Sequence, residues 1–392
     1  MAELLPDADW TQRADLASLI AALGAGNARY VGGAVRDTLL GLDVKDIDVA
    51  TPLLPGTVMQ RLQDAAIRVV PTGLDHGTVT AVLPEGSVEI TTLRRDVATD
   101  GRRATVAFAT EWRDDAARRD FTINALYADP ATRAITDYFG GLPDLSARRV
   151  RFIGDAQERI REDHLRILRY FRFQARFGSY PPDKPSENAC AQLADTLKGL
   201  SRERIGMEML NLLGLPDPAP TIARMGELGV LRVILPEAQP NELAALTEAE
   251  HAYGIEPDAM RRLAALLPPE ERLATQVAAR FRLSGKQKKR LALAAQRTPI
   301  NGDATANARA LAYRLGREAA LDRLLLVGAD PGPLEKWKIP EFPMKGGEIV
   351  TMGVEAGPKV AQILNRAQER WIDEGFPPRE RVEIIVRSLL DD

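Results

Sequence analysis

The sequence contains very little cysteine and histidine, and each shortage excludes a class of protein. Cys190 is the only cysteine among the 392 residues, so no internal disulfide can form and a reducing, cytoplasmic location is expected. The only histidines are His76, His164 and His251. Because an HD phosphohydrolase domain needs several histidine ligands for its metal, we predict that the chain contains no such domain.

Two further absences concern membranes and cofactors. No apolar stretch approaches the roughly 18 residues of a membrane span, and the N-terminus MAELLPDADW is acidic where a secretion signal requires basic residues. The segment at residues 23–29 has Arg29 where a dinucleotide fingerprint requires its third glycine, and no GxxxxGK[ST] phosphate loop occurs. We therefore expect no membrane association, no Rossmann cofactor and no P-loop chemistry.

The composition is that of a soluble globular protein with two or three domains, since 45% of the residues are hydrophobic and 27% are charged. The net charge is only −3, yet the 52 basic residues comprise 42 Arg and 10 Lys. Arginine presents a planar set of donors that suits phosphates and base edges. The codon usage of a GC-rich genome explains the same excess, so composition alone does not predict a nucleic-acid substrate.

The chain changes character near residue 150. Between residues 28 and 140, short β-branched runs separated by Gly, Pro and Asp predict strands: RYVGG, DIDVAT, AIRVVPTG, HGTVTAVL and SVEITTLR. From about residue 155 onwards, Leu, Ala, Arg and Glu recur at helical spacing between proline-rich breaks. We predict the α+β fold class, with an N-terminal αβ head built on a mixed or antiparallel sheet and an all-helical remainder.

The densest chemical signal is a pair of glycines followed by a pair of aspartates. Gly32 and Gly33 follow a predicted strand and open a predicted helix, which lets backbone N–H groups approach a phosphate. Arg36 adds a guanidinium one turn later. Asp46 and Asp48 are two residues apart in the next predicted strand, so both side chains point to one face. The pattern predicts a triphosphate-binding site beside two carboxylates.

The paired carboxylates indicate a bound cation. Two adjacent carboxylates repel each other unless a cation lies between them, and Mg²⁺ binds carboxylate oxygens together with substrate phosphates. Glu89, in a later predicted strand, could supply a third carboxylate. An isolated DxD pair is most often a solvated turn, but the adjoining GG-x-x-RD pattern favours metal-assisted phosphoryl or nucleotidyl transfer.

Several segments, in order along the chain, are similar to the successive motifs of one enzyme family. They are GGAVRDTLLG with DIDVAT, RRDFTINAL at residues 118–126, EDHLRILRYFRF at residues 162–173, and SRER at residues 201–204 with Glu208. The chain is identified as resembling the class II tRNA nucleotidyltransferase and bacterial poly(A) polymerase family over residues 28–210. The resemblance implies an elongated protein with a nucleotidyltransferase catalytic head (1–145), a helical neck (146–215), a helical body (216–300) and a helical, tRNA-binding tail (301–392).

The same resemblance implies a two-metal nucleotidyl transfer. Asp46 and Asp48, with Glu89 as a further candidate, would hold Mg²⁺ beside the 3′ end of a tRNA. The 3′-hydroxyl would attack the α-phosphate of CTP or ATP, and pyrophosphate would leave.

The resemblance assigns Asp163 and Arg166 to reading the incoming base. Cytosine and adenine both present an amino donor beside a ring-nitrogen acceptor, whereas guanine and uracil present a carbonyl beside a ring N–H. A carboxylate and a guanidinium therefore accept C and A and reject G and U, without a nucleic-acid template. A wrong base would leave two buried partners unpaired, at about 1–3 kcal/mol for each group.

Other residues of these motifs receive nucleotide contacts by the same resemblance. It gives Arg119 a contact with the nucleotide and places Asp120 and Asn124 near the sugar. The alternative for Arg119 and Asp120 is a structural ion pair. Arg169 and Arg172 lie at helical spacing after Arg166 and are expected near the triphosphate or stacked near the base.

The motif at residues 162–173 lies within a basic region. Residues 147–177 hold nine Arg against four acidic residues, a net charge of +5, so the rest of the chain carries −8. On a helical wheel of about 100° per residue, Arg166, Arg169 and Arg172 share a face that leads to Asp163, while the apolar residues form the other face. We predict a basic cleft within an otherwise acidic protein.

Two segments bear on the branch of the family and on its RNA. TGLDHGTVTAV at residues 72–82 resembles the CCA-adding branch, and the chain ends SLLDD without the basic extension of the poly(A) branch. We expect addition of C, C and A to tRNA 3′ ends; the alternatives are a poly(A) polymerase, a CC-only or A-only enzyme, and a non-catalytic RNA-binding protein. The candidates for contacting the tRNA backbone are Lys286, Lys288, Lys289 and Arg290, for which a solvated helix face is the other interpretation.

Overall fold

The computed structural model describes residues 3–99, 104–298 and 303–390. The chain folds into two compact units: unit 1 comprises Met1–Glu208 and Arg224–Ile234, and unit 2 comprises Met209–Ala223 and Leu235–Asp392. The strands of the described residues all precede residue 140, and helices follow. The predicted α+β class is therefore confirmed, while the four predicted domains and the three boundaries between them stay predictions.

Nine strands are present in the described parts of the chain. They are β1 (Arg29–Val31), β2 (Ile47–Thr51), β3 (Arg68–Gly73), β4 (Thr78–Leu83), β5 (Gly86–Thr92), β6 (Arg94–Thr99), β7 (Ala104–Phe108), β8 (Leu126–Ala128) and β9 (Ile135–Asp137). Seven of them form one sheet in the order β3-β4-β5-β2-β1-β8-β9, and β6 pairs with β7 in a separate hairpin. The sheet is mixed, as predicted, because β2 and β5 are parallel and their other neighbours are antiparallel.

The helices of the described residues are α1 (Ala14–Leu23), α2 (Gly33–Leu39), α3 (Pro55–Asp64), α4 (Trp112–Ala117), α5 (Gly141–Ser146), α6 (Ala156–Glu162), α7 (Arg166–Phe177), α8 (Lys184–Gln192), α9 (Arg202–Leu213), α10 (Ala219–Glu227), α11 (Val230–Ile234), α12 (Pro240–Ala252), α13 (Ala259–Ala265), α14 (Glu271–Arg280), α15 (Gly285–Ala295), α16 (Ala304–Leu315), α17 (Arg317–Leu326), α18 (Gly346–Thr351), α19 (Pro358–Asp373) and α20 (Arg379–Leu390). Within the described ranges, none of these helices has the length and apolar character that crossing a membrane requires.

The alternation of side chains decides which face of the sheet is open. On β4, Val79 and Ala81 are buried, and α3 packs against β3 and β4 with its own buried residues Val58 and Leu62. Because successive side chains of a strand point to opposite faces, Thr78 and Thr80, which alternate with Val79 and Ala81, face away from α3. The predicted carboxylates of β2 and β5 point to this open face.

The segment around residues 162–173, called the neck motif below, forms two helices, whereas the sequence pattern predicted one continuous helix. Helix α6 ends at Glu162, Asp163 has extended backbone angles, and α7 begins at Arg166. The Asp163 carboxylate accepts the backbone N–H of Leu165 at 3.1 Å, and such local bonds compete with the helical ladder. The predicted single helix is therefore wrong, although the apolar residues that the wheel placed inward on α7, Ile167, Leu168 and Phe171, are buried as predicted.

Unit 2 contains a buried network of ion pairs. Glu250 of α12 accepts hydrogen bonds from Arg261 and Arg262 of α13, and Arg261 also pairs with Asp322 of α17 at 3.0 Å. Arg262 donates in addition to the backbone carbonyl of Leu213 at 2.8 Å. All four charged side chains are at least 95% buried, so each depends on its partners.

We predict that Glu250→Ala lowers the free energy of unfolding of unit 2 by about 3–5 kcal/mol, because it leaves two arginine groups buried without their shared carboxylate. Denaturant unfolding of the full chain measures the loss. The matched control is Glu318→Ala, which removes a half-exposed partner of Arg290 and should cost about 1 kcal/mol or less. Equal losses for the two variants would contradict the prediction.

Candidate active site

A cavity of about 370 Å³ lies on the open face of the sheet in unit 1. Its lining comes from the strands, from the segment after α4 and from the start of α7. The lining side chains are Val31, Asp48, Val49, Thr78, Glu89, Thr91, Arg94, Arg118, Arg119, Asp120, Asp163, Arg166 and Arg169. The structure thus gathers acidic and basic residues that the sequence analysis had predicted from four separate motifs.

The carboxylates of the cavity are held by strand pairing. Asp48 of β2 and Glu89 of β5 are direct partners in the parallel register, and Asp46 precedes β2 at an exposed position. Burial raises the pKa of the Asp48 carboxyl, Arg119 opposes this shift, and the charges of Glu89 and Asp46 add to it. A cation beside these groups would stabilise their charged form.

The residues present fit a divalent cation that takes part of its ligands from the substrate. In the described residues, no three His, Cys, Asp or Glu side chains form a group that could hold a metal ion alone. Mg²⁺ commonly uses one or two protein carboxylates, with the remaining ligands supplied by water and substrate phosphates. Asp48 and Glu89 supply such a pair, and Asp46 is close enough to affect the charge of Asp48.

Two arginines of the cavity are positioned by one buried aspartate. Asp115 of α4 accepts hydrogen bonds from Arg118 at 2.8 Å and from Arg119 at 3.3 Å, and the Tyr127 hydroxyl donates to it at 2.6 Å. Burial alone would raise the pKa of Asp115, but the charges of Arg119 and Arg118 and the Tyr127 bond lower it to about 2. Asp115 is therefore charged at neutral pH and fixes both guanidinium groups at the cavity.

Asp120 forms a different ion pair from the one considered above. It is buried and accepts hydrogen bonds from Arg169 at 2.8 Å and from Asn124 at 3.0 Å, while Arg119 pairs with Asp115. Burial would raise the pKa of Asp120, but the charge of Arg169 and these hydrogen bonds bring it below its ordinary value. The alternative of an Arg119–Asp120 ion pair is wrong, and the partner of Asp120 comes from α7.

The predicted base readers lie side by side but have protein partners of their own. Asp163 accepts a hydrogen bond from Arg204 of α9 at 2.9 Å. Arg166 donates to the carbonyls of Arg159 at 2.8 Å and Arg118 at 3.1 Å and to the carboxylate of Glu162. Among the described residues these bonds use three of the five N–H groups of Arg166, so two are left for a ligand. Each carboxylate oxygen of Asp163 accepts one hydrogen bond and has a second lone pair that can accept another.

The glycine pair lies at the edge of the cavity. Gly32 has φ +70°, and a Cβ added there would lie 3.3 Å from Nη1 of Arg119 and 3.9 Å from Oδ2 of Asp48. The positive φ favours glycine at this position, while the contact with Arg119 is tight and the one with Asp48 is an ordinary van der Waals distance. Gly33 begins α2. The N–H of Gly32 donates to the carbonyl of Leu126, so the predicted phosphate contact at this turn stays a prediction that rests on Gly33.

Four other predicted site residues, Asp46, Arg36, Asn124 and Arg172, lie outside the lining of the cavity. Arg36 is buried and donates to Asp37 and to Asn124. Arg172 donates to the buried Glu208 at 2.7 Å. Direct contact of Arg36, Asn124 and Arg172 with the nucleotide therefore stays a prediction, and the visible role of each is to hold another side chain.

The predicted tRNA contacts of α15 separate into two kinds. Lys286, Lys288 and Lys289 are exposed. The side chain of Arg290 is only 13% exposed and donates to Asp322 at 2.7 Å and to Glu318 at 3.0 Å. The three lysines are available to a phosphate backbone, whereas Arg290 belongs to the buried ion-pair network of unit 2.

Three residues of this site were not predicted from the sequence: Arg118, which lines the cavity, and Asp115 and Tyr127, which form hydrogen bonds with Arg118 and Arg119. Arg118 was visible as the first residue of the RRD motif, and a second arginine next to a nucleotide-contacting arginine was a usable signal. Asp115 and Tyr127 gave none, because an aspartate in a charged helix and a tyrosine in a strand are ordinary at those places.

Comparisons with known proteins identify the relatives of this chain. The family described as Poly A polymerase head domain matches residues 28–151, and the family described as probable RNA and SrmB- binding site of polymerase A matches residues 180–241. CCA tRNA nucleotidyltransferase 1, mitochondrial, of Mus musculus is 34% identical over 374 residues, which are 89% of this chain and 83% of the mouse protein. The CCA-adding enzyme of Geobacillus stearothermophilus is 39% identical over 207 residues, 52% of this chain and 50% of that enzyme.

Solved structures show the same similarity. A Bacillus stearothermophilus CCA-adding enzyme in complex with CTP has a TM-score of 0.72 at 27% identity, covering 96% of this chain and 97% of the other. A Thermotoga maritima CCA-adding enzyme complexed with tRNA has a TM-score of 0.69 over 93% of this chain and 91% of its own. At 21% identity the second comparison shows a shared fold alone.

A mixed sheet that presents paired carboxylates to an arginine-lined cavity, within a polymerase-type head, defines a nucleotidyltransferase. The chain belongs to the family of CCA tRNA nucleotidyltransferases. The resemblance stated from the sequence motifs is thereby confirmed.

Proposed function

We propose that this chain adds C, C and A to the 3′ end of tRNA from CTP and ATP, with release of pyrophosphate. One observation carries the proposal: a single cavity contains both a carboxylate pair suited to phosphoryl chemistry and an aspartate and arginine suited to the edges of C and A. The relatives named for CCA addition, at 34% identity over most of the chain, support the same activity.

The cavity is proposed to bind the nucleotide along a row of guanidinium groups. Arg118 and Arg119 face the carboxylates of Asp48 and Glu89, so they suit the triphosphate, whose negative charge they offset. Two of the five N–H groups of Arg169 donate to Oδ2 of Asp120, which leaves three for the nucleotide. The backbone at Gly33 is proposed to approach the phosphates from the start of α2.

Base selection is proposed to rest on Asp163 and Arg166. The carboxylate accepts from the amino group that C and A share, and the guanidinium donates to the ring nitrogen beside it. Their bonds to Arg204 and Glu162 hold the two side chains in fixed orientations before a base arrives. Binding of a base then requires no further ordering of the Asp163 and Arg166 side chains. Discrimination between bases comes from the donor or acceptor that a wrong base would leave unpaired.

Asp46 and Asp48, with Glu89 as a further candidate, are proposed to hold Mg²⁺. When bound, the ion would polarise the phosphate and favour the ionised 3′-hydroxyl of the tRNA. The protein residues orient the triphosphate, exclude G and U from the base site and keep the reacting groups together. Arg119, which lowers the pKa of Asp48, offsets part of the carboxylate charge before the nucleotide enters.

An incorporation assay tests this function and separates every alternative. Purified protein receives labelled CTP, ATP, GTP or UTP with transcripts of one tRNA that end before CCA, after C, after CC and after CCA. We expect completion to CCA on the first three transcripts, with no use of GTP or UTP and no extension of the fourth. Long A tails on the fourth transcript would indicate a poly(A) polymerase, and products limited to CC or to a final A would indicate a partial adding enzyme. Binding of tRNA without incorporation would contradict the proposal and favour the non-catalytic alternative.

The proposed partners and location follow from the same reasoning. The exposed Lys286, Lys288 and Lys289 of α15 are proposed to contact the tRNA backbone, and the helical tail is proposed to contribute to tRNA binding. The single Cys190 is buried, and burial raises the pKa of its thiol, which suits any reducing compartment. The mouse and human relatives carry mitochondrial names, so a cytoplasmic location stays a prediction.

A further inference from the structure

A chain of polar contacts runs from α2 to the cavity through buried groups. Arg36 donates to Oδ1 of Asn124, whose Nδ2 donates to Oδ1 of Asp120 at 3.0 Å. The other oxygen of Asp120 accepts from Arg169 at 2.8 Å. Arg36, Asn124 and Asp120 are all buried, and only Arg169 and Asp120 line the cavity.

The donors and acceptors of this chain allow one orientation. A guanidinium can only donate, so the amide of Asn124 must present its oxygen to Arg36. Its NH₂ group then faces Asp120, which as a carboxylate can only accept. With one oxygen of Asp120 occupied by the amide, the other is left for Arg169. Arg36 and Asp120 therefore fix the orientation of the Asn124 amide from its two ends.

Arg36 is itself fixed on its remaining sides. Its Nε donates to Asp37 at 2.8 Å, and its guanidinium carbon lies 4.1 Å from the ring centre of Phe177 and 5.4 Å from that of Phe173. Both aromatic rings belong to α7, the helix that also carries Arg169. A guanidinium stacked between an aspartate and aromatic faces has little freedom to reach a phosphate in the cavity.

We propose that Arg36 is a positioning residue, which sets the orientation of the Asn124 amide and, through Asp120, holds the Arg169 guanidinium at the nucleotide. The proposal rests on the proposed function for the identity of the ligand. Without Arg36 the oxygen of the Asn124 amide loses its donor, so the amide holds the Asp120 carboxylate less firmly and the Arg169 guanidinium loses its fixed position. Nucleotide binding then weakens equally for CTP and ATP, while base selection by Asp163 and Arg166 persists.

The test compares three substitutions at one position in the full chain. Arg36→Met keeps the stem but removes all donors, Arg36→Lys keeps a group that can only donate, and Arg36→Gln fills the space with an amide that can turn either way. Kinetics give kcat and KM for CTP and ATP, and calorimetric titration with CTP gives its Kd without turnover. We expect Arg36→Met to raise KM and Kd about tenfold or more, Arg36→Gln to have an intermediate effect, and Arg36→Lys to restore most of the affinity.

A double-mutant cycle separates this role from general support of the fold. Because Arg36 acts through Asn124, adding Arg36→Met to Asn124→Ala should weaken CTP binding less than about threefold further. The matched control is Arg176→Met, which removes a half-exposed arginine 3.6 Å from Asp37 and should leave Kd within about twofold of the original.

Three results would overturn the proposal: unchanged Kd in Arg36→Met or Arg36→Gln, losses that add fully in the double mutant, or a loss in folded Arg36→Lys equal to that of Arg36→Met. If Arg36→Met does not fold, Arg36→Gln and Arg36→Lys carry the comparison. Failure of the unmodified chain to incorporate nucleotides would refute the proposed function instead, and the CTP titrations would still decide the role of Arg36.

Discussion

Asp48→Asn is expected to lower the rate of CTP incorporation about a thousandfold or more while the protein stays folded. Asn keeps the shape of the side chain but removes the charge that lies opposite Glu89 in the parallel register. The proposed metal contributes several kcal/mol of charge stabilisation, and each 1.36 kcal/mol is worth a factor of ten in rate. Single-turnover incorporation into a tRNA ending before CCA measures the loss, and thermal unfolding checks the fold.

The control for this prediction is Asp64→Asn. Asp64 is an exposed carboxylate on α3, the helix that covers the opposite face of the sheet. The Asp64→Asn substitution changes the net charge by the same amount as Asp48→Asn and should leave the rate of CTP incorporation unchanged. Near-normal incorporation by folded Asp48→Asn would refute the assignment of this carboxylate to the reaction.

Asp163→Ala and Arg166→Ala are expected to reduce discrimination of C and A against U and G by about 10- to 100-fold each. Under the proposed base reading, a wrong base leaves a donor or acceptor of Asp163 or Arg166 unpaired, at about 1–3 kcal/mol for each group, and removing that group removes the penalty. The measurement is kcat/KM for all four nucleotides on tRNA ending before CCA. We expect the values for C and A to fall and the ratios to U and G to fall with them.

Arg161→Ala is the matched control for base selection. Arg161 lies on α6 beside the same motif, but it is exposed and donates to Gln157 of its own helix. Its removal should leave both rates and ratios unchanged. If Asp163→Ala and Arg166→Ala both kept the original nucleotide preference, base reading would have to be assigned to other residues.

The carboxylates were predictable because their signal is local. Asp48 alternates with the buried apolar residues of β2, and period-two alternation places it on the open face whatever the rest of the chain does, whereas Asp46 precedes β2 and is exposed. Glu89 shares the parity of the exposed positions of β5 for the same reason. Their pairing across parallel strands was not predictable, since register between strands distant in sequence depends on the whole sheet.

The neck motif shows where a periodic pattern misleads. Apolar spacing through residues 160–171 is continuous, so a wheel places Asp163 and Arg166 on one helix. In the structure the carboxylate of Asp163 accepts the backbone N–H of Leu165, and Asp163 lies where α6 ends, outside the helical hydrogen-bond ladder. Side-chain competition of this kind depends on a local energy difference that the spacing of apolar residues does not record.

The charge of the basic region illustrates the same division. The sequence predicts a net +5 over residues 147–177, and this count is correct. In the folded chain Arg169 pairs with Asp120 and Arg172 with Glu208, acids from outside that region. The basic excess is thus partly neutralised by acids from distant segments. Arg166 and Arg169 of this region line the cavity, and the N–H groups that they do not use within the protein can donate to a ligand.

The sequence alone determined the fold class, the family and most residues of the cavity. These followed from the shortages of cysteine and histidine, the order of the motifs and the alternation of the strands, because such features depend on residues close together in the sequence. Only the tertiary structure decided which partner each charged side chain has. Asp120 pairs with Arg169, Asp115 fixes Arg118 and Arg119, and Arg36 faces Asn124. Ion pairs and hydrogen bonds act over a few ångströms in space, and sequence separation carries no information about that distance.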